Sequence, residues 1–284
     1  MPELPEVEVL ARHLCPLIKG KTIREVEVRR AKSLRGTSEK AFKDALTYAR
    51  FIGLRRRGKY LLFELKPKGG RESFEMLGHL GMTGRMYLQP RSADLPKHAV
   101  LRFALGRHDF VFEDTRYFGR MTLDTSAVNS LGPEPLGDEF DTDYFAAQLK
   151  RSAQAIKVKL LDQSLVAGIG NIYACEALHR SGISPRKQAR RLTRPQAERL
   201  RENVRDILTA AIELGSTIRL DFAGSGKKDG LFYYGGSDAA PDTVFERFAV
   251  YDREGEPCPE CGAAIRRIVQ AARSTFCCPT CQRG

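Results

Sequence analysis

Four cysteines near the carboxyl end of the chain constrain its fold more than any other feature. They form two Cys-x-x-Cys pairs, Cys258 with Cys261 and Cys278 with Cys281, separated by sixteen residues. Thiolate pairs at this spacing are typical of tetrahedral zinc, and the stretch between them can form a β-hairpin. Redox-active pairs are the alternative, but a small terminal unit with little core of its own favours metal. Because four thiolates leave no open coordination position, we predict one structural Zn2+ per chain, with Cys277 as a less symmetric substitute for Cys278.

The charge of the chain predicts a polyanionic partner. Lys and Arg number 47 against 35 Asp and Glu, which gives a formal net charge of +12. Nucleic acid fits best, and a basic protein without a special partner is the alternative. Arg266, Arg267 and Arg273 lie between the cysteine pairs, where a phosphate backbone is their obvious target. A second basic zone covers 186–205, for which a solvated helix face is the slightly favoured interpretation.

Membrane insertion and secretion are not indicated by the sequence. No apolar run approaches the ~18 residues that a membrane span needs. Glu3, Glu6 and Glu8 argue against a signal peptide at the start. The chain has seven cysteines, and an odd number of thiols suits a reducing compartment better than a disulfide framework. We therefore expect an intracellular protein.

The first three residues predict a nucleophile. Removal of Met1 makes the secondary amine of Pro2 the amino terminus, with the Glu3 carboxylate directly after it. An α-amino group titrates near pH ~8, so roughly a tenth is neutral at pH 7, far more than for an unperturbed lysine. A secondary amine forms an iminium that stays cationic and favours elimination. Alternatively, Pro5 and Glu6 merely begin a helix, and both interpretations can hold together.

Residues 21–125 indicate a β-sandwich that follows the first helix. Short strands alternate with glycine-rich turns in this stretch. The clearest strands run from Thr22 to Val28, Tyr60 to Leu65, Val100 to Leu105 and Phe110 to Phe112. A loop rich in Gly, Pro and Asp at 130–143 then separates this half from a helical one, as an interdomain linker does.

Helical periodicity follows the linker. It predicts one helix from Tyr144 to about Leu161 and a second that begins near Asn171 and ends at Gly182. A third helix is opened by Pro195 and closed by Gly215. Residues 216–243 have no periodicity and predict a long loop.

Three side chains in the first half of the chain suggest a DNA-binding cleft. Lys59 sits where a strand begins and can point into a cleft, although a lysine at a strand edge is usually solvated. Met82 and Phe118 lie on turns flanked by glycine, where a core position is the more common outcome. If both are exposed beside Arg116, they form a wedge that can enter a base stack.

Six motifs spread along the chain carry a resemblance to a known family. They are Pro2–Glu6, Arg57–Tyr60, His79–Met82, Leu131–Leu136, Gly168–Tyr173 and the four-cysteine unit. In this order they closely resemble the bacterial formamidopyrimidine-DNA glycosylase family over nearly the whole chain. The resemblance implies an α+β, multi-domain fold. Its parts are an N-terminal β-sandwich catalytic domain with flanking helices (1–129), a linker (130–143), a helix-two-turn-helix domain (144–244) with a lesion-capping loop at about 216–243, and a C-terminal zinc-finger β-hairpin (245–284).

The resemblance also implies roles for individual residues. Pro2 matches the Schiff-base nucleophile and Glu3 the general acid, while Lys59 matches the proton donor in β-elimination and Arg273 the arginine of δ-elimination. The residues matched to DNA contacts are Met82, Arg116 and Phe118 in the gap left by the extruded nucleotide, His98 and Asn171 at the DNA backbone, and Lys157 near the oxidised base.

The activity implied is that of a bifunctional DNA glycosylase and AP lyase of base excision repair. Such an enzyme excises 8-oxoguanine and formamidopyrimidines from damaged double-stranded DNA and cleaves the strand by β,δ-elimination, as a cytoplasmic, nucleoid-associated bacterial monomer. Leu4 is similar to the purine-lesion branch, whereas the endonuclease VIII-like branch more often has Gly there. The alternatives are an endonuclease VIII-like glycosylase for oxidised pyrimidines and a non-catalytic zinc-dependent DNA-binding protein.

Two segments depart from the family pattern. The sequence Asp114–Phe118 has Thr and Tyr where Asp-Pro-Arg-Arg-Phe is commoner, which keeps the wedge but loses one positive charge. The segment 224–243 is longer than the usual family loop over the flipped base.

Overall fold

The computed structural model describes residues 1–217 and 248–283, which form two compact units. The amino-terminal unit contains Met1–Asn129, and the carboxyl-terminal unit contains Ser130–Leu214 and the described residues from Phe248 onwards. Helices and antiparallel strands both contribute, so the predicted α+β fold is confirmed.

The amino-terminal unit is built on two four-stranded antiparallel sheets. Its strands are β1 (Glu25–Val28), β2 (Arg50–Arg57), β3 (Tyr60–Lys66), β4 (Phe74–His79), β5 (Gly84–Pro90), β6 (Ala99–Ala104), β7 (His108–Asp114) and β8 (Arg120–Thr122). One sheet has the strand order β1-β6-β7-β5 and the other β2-β3-β4-β8. These sheets are the predicted β-sandwich.

Two α-helices accompany the sheets, α1 (Leu4–Ile18) and α2 (Glu39–Leu46). Helix α1 begins with proline in its first turn, where the missing N–H has no intrahelical partner to lose. The Ser38 side chain caps α2 by accepting a hydrogen bond from the Ala41 N–H at 3.1 Å. Short 3-10 turns at Ala31–Leu34 and Ser126–Val128 complete the unit.

Phenylalanines from both sheets join them into one core. The ring centroid of Phe110 on β7 lies 6.2 Å from that of Phe51, 5.7 Å from Phe63 and 5.4 Å from Phe103. Side chains alternate along a strand, so Val111 packs on the opposite face, in a separate cluster with Tyr87 and others. The sandwich is therefore held by aromatic contacts between the two inner faces.

All four strands identified in the sequence are present. The strand predicted from Thr22 begins only at Glu25, because Thr22 forms an isolated bridge with Arg50 instead of entering the ladder. Strands β2, β4, β5 and β8 were not identified. Strand β2 is rich in arginine, so its sequence does not show the regular alternation of apolar and polar residues that identifies a strand.

The helices of the second unit are α3 (Thr142–Lys150), α4 (Ile156–Leu160), α5 (Asn171–Arg180) and α6 (Arg194–Thr217). The single helix predicted from Tyr144 to about Leu161 is wrong, since it breaks between α3 and α4. The break follows from backbone pairing with a distant segment: the Ile156 N–H donates to the Lys187 carbonyl at 2.7 Å, and Ala155 forms a bridge with Gln188.

Helix α6 begins where Pro195 predicted it. Thr193 and Gln196 exchange hydrogen bonds at its start, with the Thr193 N–H donating to Gln196 Oε1 at 3.1 Å. Gly215 does not close the helix, which continues to Thr217. The loop predicted at 216–243, with the segment 224–243 that departs from the family pattern, lies outside the described residues apart from these first two positions.

The predicted C-terminal hairpin is confirmed as β9 (Arg266–Gln270) and β10 (Arg273–Cys277). It packs on α5, because Cys175 of that helix shares a buried apolar cluster with Phe276 of β10. The Glu176 carboxylate also accepts hydrogen bonds from the backbone N–H groups of 249–251 at 2.8 to 3.0 Å. The hairpin is thus anchored to the helical part of its unit.

In residues 1–217 and 248–283, none of the helices combines the length and apolarity needed to cross a membrane.

The turn of the hairpin has a backbone conformation that disfavours its side chains. Ala271 and Ala272 have φ angles of 47° and 58°, in the left-handed region that costs a non-glycine residue roughly 1–2 kcal/mol. We expect Ala272→Gly to raise the free energy of unfolding by about 0.5–1 kcal/mol, because relief of strain exceeds the entropy cost of glycine. Thermal unfolding of the zinc-loaded protein measures the change.

Ala264 provides the matched control for this prediction. It is an exposed alanine of the same segment with no positive φ, so Ala264→Gly carries only the entropy cost and lowers the unfolding temperature. A decrease for Ala272→Gly as large as that for Ala264→Gly would contradict the strain argument.

Candidate active site and zinc centre

The start of α1 fixes the direction of the amino-terminal residues. Glu3 is the N-cap residue, and its backbone N–H donates to Glu6 Oε2 at 2.6 Å. Glu3 is 2% exposed, and Glu6 is equally well buried. Pro2, which is partly buried, is held directly before this paired turn. The two residues predicted to carry the chemistry therefore occupy a defined place at the edge of the core.

Lys59 lies in the two-residue turn between β2 and β3. Arg57 pairs with Tyr60 across this turn, and Gly58 takes a φ of 57° that suits glycine at the first turn position. A lysine in a hairpin turn is usually solvated, but Lys59 is only 8% exposed. The burial of Lys59 therefore argues against the solvated interpretation of this residue.

The amine at the amino terminus interacts electrostatically with the buried carboxylates and with Lys59. Burial of the Met1 amine lowers its pKa below the ordinary value, while the charges of Glu3 and Glu6 raise it. Lys59 and Arg116 act in the same direction as burial, and the net shift of the amine pKa is downward. The Met1 amine therefore has a larger neutral fraction at neutral pH than a free α-amino group.

His79, at the end of β4, connects this cluster with the following turn. Burial lowers the pKa of His79 to about 4, helped by the positive charges of Arg120, Lys59 and Arg35. The ring is therefore neutral, and its Nδ1 accepts the Gly81 N–H at 3.1 Å. This hydrogen bond fixes the first part of the turn that carries the next predicted residue, Met82.

A buried carboxylate joins two turns of the amino-terminal unit. Asp114 Oδ1 accepts the Thr83 hydroxyl at 2.6 Å and the Arg116 N–H at 3.1 Å, and Oδ2 accepts the Gly119 N–H at 2.7 Å. The turns are in close contact, because a Cβ atom on Gly81 would lie 2.5 Å from the Gly119 nitrogen. Asp114 thus holds the 80–84 turn against the 115–119 turn.

These two turns present large side chains to solvent. Met82 is 41% exposed and Phe118 is 50% exposed, which is unusual for apolar residues of this size. The Arg116 guanidinium carbon lies 4.9 Å from the centroid of the Phe118 ring. The wedge interpretation is therefore favoured over the core interpretation for both apolar residues.

Two predicted residues of the second unit meet at the hairpin. Lys157 on α4 is fully buried, and its Nζ donates to Asn171 Oδ1 at 2.5 Å. Both side chains donate to the Ser274 carbonyl, Asn171 Nδ2 at 2.9 Å and Lys157 Nζ at 3.5 Å. Ser274 directly follows Arg273, which is exposed at the start of β10. These bonds fix the hairpin next to the predicted δ-elimination arginine.

The cysteine pairs converge on one point, as predicted. The Sγ atoms of Cys258, Cys261, Cys278 and Cys281 all lie within 4.8 Å of one another. Cys258 Sγ and Cys281 Sγ are 3.9 Å apart, and Cys261 Sγ and Cys278 Sγ are 3.4 Å apart. Tetrahedral Zn2+ with bonds of about 2.3 Å separates its sulfur ligands by about 3.8 Å, so the four thiolates fit one structural zinc ion.

Side chains next to the cysteines support the centre. The Cys278 N–H donates to Gln282 Oε1 at 2.8 Å, and Gln282 Nε2 donates to the Ile183 carbonyl at 3.0 Å. His179, buried on α5, has its Nε2 3.4 Å from Cys258 Sγ. The zinc ligands are therefore connected to the helical part of the unit on two sides.

Three arginines of the basic zone at 186–205 do more than form a solvated face. Arg199 Nε donates to the Ser181 carbonyl at 3.1 Å, and Arg201 Nη1 to the Phe140 carbonyl at 3.2 Å. The guanidinium of Arg205 donates to the backbone carbonyls of 135–137 at 2.9 to 3.3 Å. These three arginines bind backbone carbonyls of loops in their own unit. This structural role differs from both interpretations of the sequence, direct DNA contact and a solvated helix face.

Three family descriptions match successive parts of the chain and together cover most of it. The formamidopyrimidine-DNA glycosylase N-terminal domain matches residues 1–121, the H2TH domain of the same enzymes matches 131–222, and the zinc finger found in FPG and IleRS matches 255–284. The chain belongs to the formamidopyrimidine-DNA glycosylase family.

Relatives of this family match at full length. A formamidopyrimidine-DNA glycosylase of Cereibacter sphaeroides is 41% identical, over 100% of both chains. The structure of the Lactococcus lactis enzyme bound to DNA with an AP site has a TM-score of 0.84 at 34% identity, covering 99% of this chain and 100% of that one. A MutM complex with DNA containing carbocyclic 8-oxo-G has a TM-score of 0.85 at 35% identity, covering both chains completely.

Some residues of this family member were not singled out by sequence analysis. Glu6 aligns Glu3, Asp114 braces the wedge turns, and His179 contacts a zinc ligand. Only Glu6 carried a recognisable signal, since a carboxylate three residues after an N-cap residue is half of a capping box. Asp114 and His179 act across long sequence separations that no local pattern encodes.

We expect His179→Phe to accelerate zinc release, because the variant keeps the buried ring but loses the Nε2 contact with Cys258. Loss of a residue that contacts a metal ligand typically weakens metal binding by roughly 10-fold or more. Zinc transfer to a colorimetric chelator, with metal content measured beforehand, gives the rate. His108→Phe is the control, since His108 is exposed on β7 of the other unit. Equal release rates for His179→Phe and wild type would show that the contact is incidental.

Proposed function

We propose that this chain is a bifunctional DNA glycosylase and AP lyase that removes oxidised purines from double-stranded DNA. The observation that carries the proposal is the cluster at the amino terminus. The Met1 amine, one residue before Pro2, has a lowered pKa and lies in the field of two buried carboxylates and the buried Lys59. An amine, a carboxylate and a lysine together supply a nucleophile and two proton-transfer groups.

The target nucleotide must first leave the base stack, because its sugar carbon is not accessible inside a duplex. Extrusion costs a few kcal/mol, less at a damaged pair. Met82 and Phe118, exposed on braced turns, offset this cost by filling the gap together with Arg116. The rigid support from Asp114 suits this role, since a wedge must not collapse when the bases press on it.

Base release begins at the anomeric carbon. After removal of Met1, the neutral Pro2 nitrogen attacks C1′, and a new N–C1′ bond replaces the bond to the base. The base leaves with the electron pair of the broken bond and takes up the proton that Pro2 loses. Glu3 transfers the proton at the sugar as the ring opens, which leaves an iminium between Pro2 and the opened deoxyribose. The position of Glu3, fixed through Glu6, keeps its carboxylate next to the nucleophile.

Strand cleavage follows by elimination. The iminium acidifies the adjacent C2′–H, the 3′ phosphate leaves, and a second elimination expels the 5′ phosphate. We assign proton transfer in the first elimination to Lys59 and a role in the second to Arg273. The MutM complex with carbocyclic 8-oxo-G and the L. lactis complex with an AP site support a substrate of this class.

DNA binding completes the proposal. We assign catalysis to residues 1–129, a linker to 130–143, DNA binding to 144–244 and a zinc finger to 245–284, in a monomer that binds damaged double-stranded DNA. His98 and Asn171 contact the DNA backbone, and Lys157 acts near the oxidised base through the buried pair that it forms with Asn171. Zinc, held by the four cysteines, supplies no chemistry and stabilises the hairpin that carries Arg273.

Borohydride tests the nucleophile, since it reduces an iminium to a stable cross-link. We expect wild-type protein to be trapped on 8-oxoguanine duplex far more than on thymine-glycol duplex. Pro2→Gly should lower trapping at least tenfold because a primary amine replaces the secondary one, whereas Lys59→Met should still cross-link. Efficient trapping of Pro2→Gly, or of molecules that retain Met1, would reject Pro2. Preference for thymine glycol would instead favour the endonuclease VIII-like alternative.

Glu3→Gln tests the proton-transfer role. We expect base excision to fall by roughly 10²–10⁴-fold while affinity for lesion duplex stays within about threefold, since general acid–base catalysis is of this size. Single-turnover excision and equilibrium binding are the two measurements.

Glu8 on the same helix supplies the control for Glu3→Gln. Its carboxylate forms ion pairs at 2.7 Å with Arg12 and with Arg56, away from the amino terminus. Glu8→Gln should keep excision near the wild-type rate. Excision by Glu3→Gln at the rate of Glu8→Gln would remove Glu3 from the mechanism.

A further inference from the structure

One exposed arginine of the amino-terminal unit is held in place by an aromatic ring. Arg30 follows β1, and its guanidinium carbon lies 3.5 Å from the centroid of the Tyr117 ring. Arg30 is exposed, and no carboxylate of residues 1–217 or 248–283 forms an ion pair with it. A guanidinium stacked on a ring loses few rotamers on binding and keeps its N–H donors free at its edges.

The same ring orients a histidine. The Tyr117 hydroxyl lies 3.0 Å from His98 Nδ1, and the two rings meet edge to face with centroids 5.9 Å apart. When the hydroxyl donates to Nδ1, the proton of neutral His98 is on Nε2, from which it can donate to an anion. Tyr117 thus contacts a guanidinium on its face and an imidazole at its hydroxyl.

The position of Tyr117 is set by the backbone of the 115–119 turn. Its φ of 57° is in the left-handed region, which a tyrosine adopts only when its surroundings impose it. The flanking residues Arg116 and Phe118 are exposed, whereas Tyr117 packs against the core of the sandwich. This conformation directs Tyr117 away from its neighbours and toward Arg30 and His98.

The Arg30 contact also bears on the departure from the family pattern at position 117. Tyr117 stands where related sequences more often have arginine, and the chain loses one positive charge at that position. In the structure, Arg30, from the segment after β1, places a guanidinium on the face of the Tyr117 ring. A planar cation with paired N–H donors, beside an imidazole donor, matches two oxygens of a phosphodiester.

We propose that Arg30 and His98, both positioned by Tyr117, bind one phosphodiester of the DNA next to the gap that the wedge fills. This inference rests on the proposed function, because it takes the wedge to enter DNA. Its new elements are Arg30 as a phosphate ligand and Tyr117 as the residue that positions both donors.

Binding of a duplex with a tetrahydrofuran abasic analogue, measured across a range of salt concentrations, tests the proposal. Arg30→Met should weaken binding roughly tenfold and reduce the slope of log K against log salt by about 0.9, the value for one phosphate contact. Arg29→Met is the matched control. Arg29 is the exposed neighbour whose guanidinium lies 4.0 Å from Glu27, so its loss should change affinity less than about twofold.

Variants of Tyr117 test the positioning role. Tyr117→Leu should lower affinity and slope at least as much as Arg30→Met, because it removes the support of both donors, and adding Arg30→Met to Tyr117→Leu should cause little further loss. Tyr117→Phe keeps the stacked ring and should lose only the share that His98 contributes. Additive losses in the double variant would contradict positioning by Tyr117.

Neutralising single phosphates locates the contact. With wild type, one methylphosphonate in the DNA should reduce affinity, and with Arg30→Met the same substitution should reduce affinity much less, because only the His98 contact is left to lose. Suppose that wild type binds and is trapped by borohydride on 8-oxoguanine duplex, but Arg30→Met keeps the wild-type slope of log K against log salt. The inference about Arg30 then fails, and the proposed function stands. If wild type neither binds nor cross-links, the proposed function fails. Thermal unfolding equal to wild type shows that the variants are folded.

Discussion

Burial of the apolar face of α1 is the interaction on which the amino-terminal chemistry depends. Val7, Leu10, Leu14 and Ile18 are completely buried and belong to the same core cluster as the phenylalanines of both sheets. Because a helix is rigid, packing of these residues fixes its first turn as well. The amine, Glu3 and Glu6 are thereby drawn into the edge of the core, where desolvation lowers the pKa of the amine. Hydrophobic packing of α1 and the lowered pKa of the Met1 amine are consequences of the same contact.

Backbone contacts too close for a side chain set the second constraint. Gly81 approaches Gly119 so closely that an added Cβ would overlap the backbone, and a Cβ on Gly119 would lie 2.5 Å from the Phe112 ring. Asp114 then satisfies the N–H groups that this packing buries. Exposed apolar side chains cost stability unless they are used, so rigid support beneath Met82 and Phe118 indicates a surface shaped for a partner.

The parts of the fold that sequence could predict are those encoded locally. The Cys-x-x-Cys spacing located the zinc centre, and apolar alternation located β3, β6 and β7. The helix break after Lys150 could not be predicted, because its cause is hydrogen bonding to a segment more than thirty residues away. Burial of Lys59 was likewise hidden, since a turn lysine is normally solvated and only tertiary packing encloses it. The resemblance supplied residue roles, but the supports of those residues became visible only in three dimensions.

Helix α5 relates the metal centre to the residues proposed to contact DNA within the carboxyl-terminal unit. Asn171 opens the helix and His179 lies in its last turn, so the two are separated by about 12 Å of rigid helix. Asn171 bonds the carbonyl of Ser274 on β10, while His179 contacts Cys258 before the hairpin. The hairpin is therefore held at both ends of one element. The Lys157–Asn171 pair maintains the attachment at Ser274, and zinc binding by Cys258 stabilises the attachment at His179. The position of Arg273 on the hairpin therefore depends on both the metal and the helix.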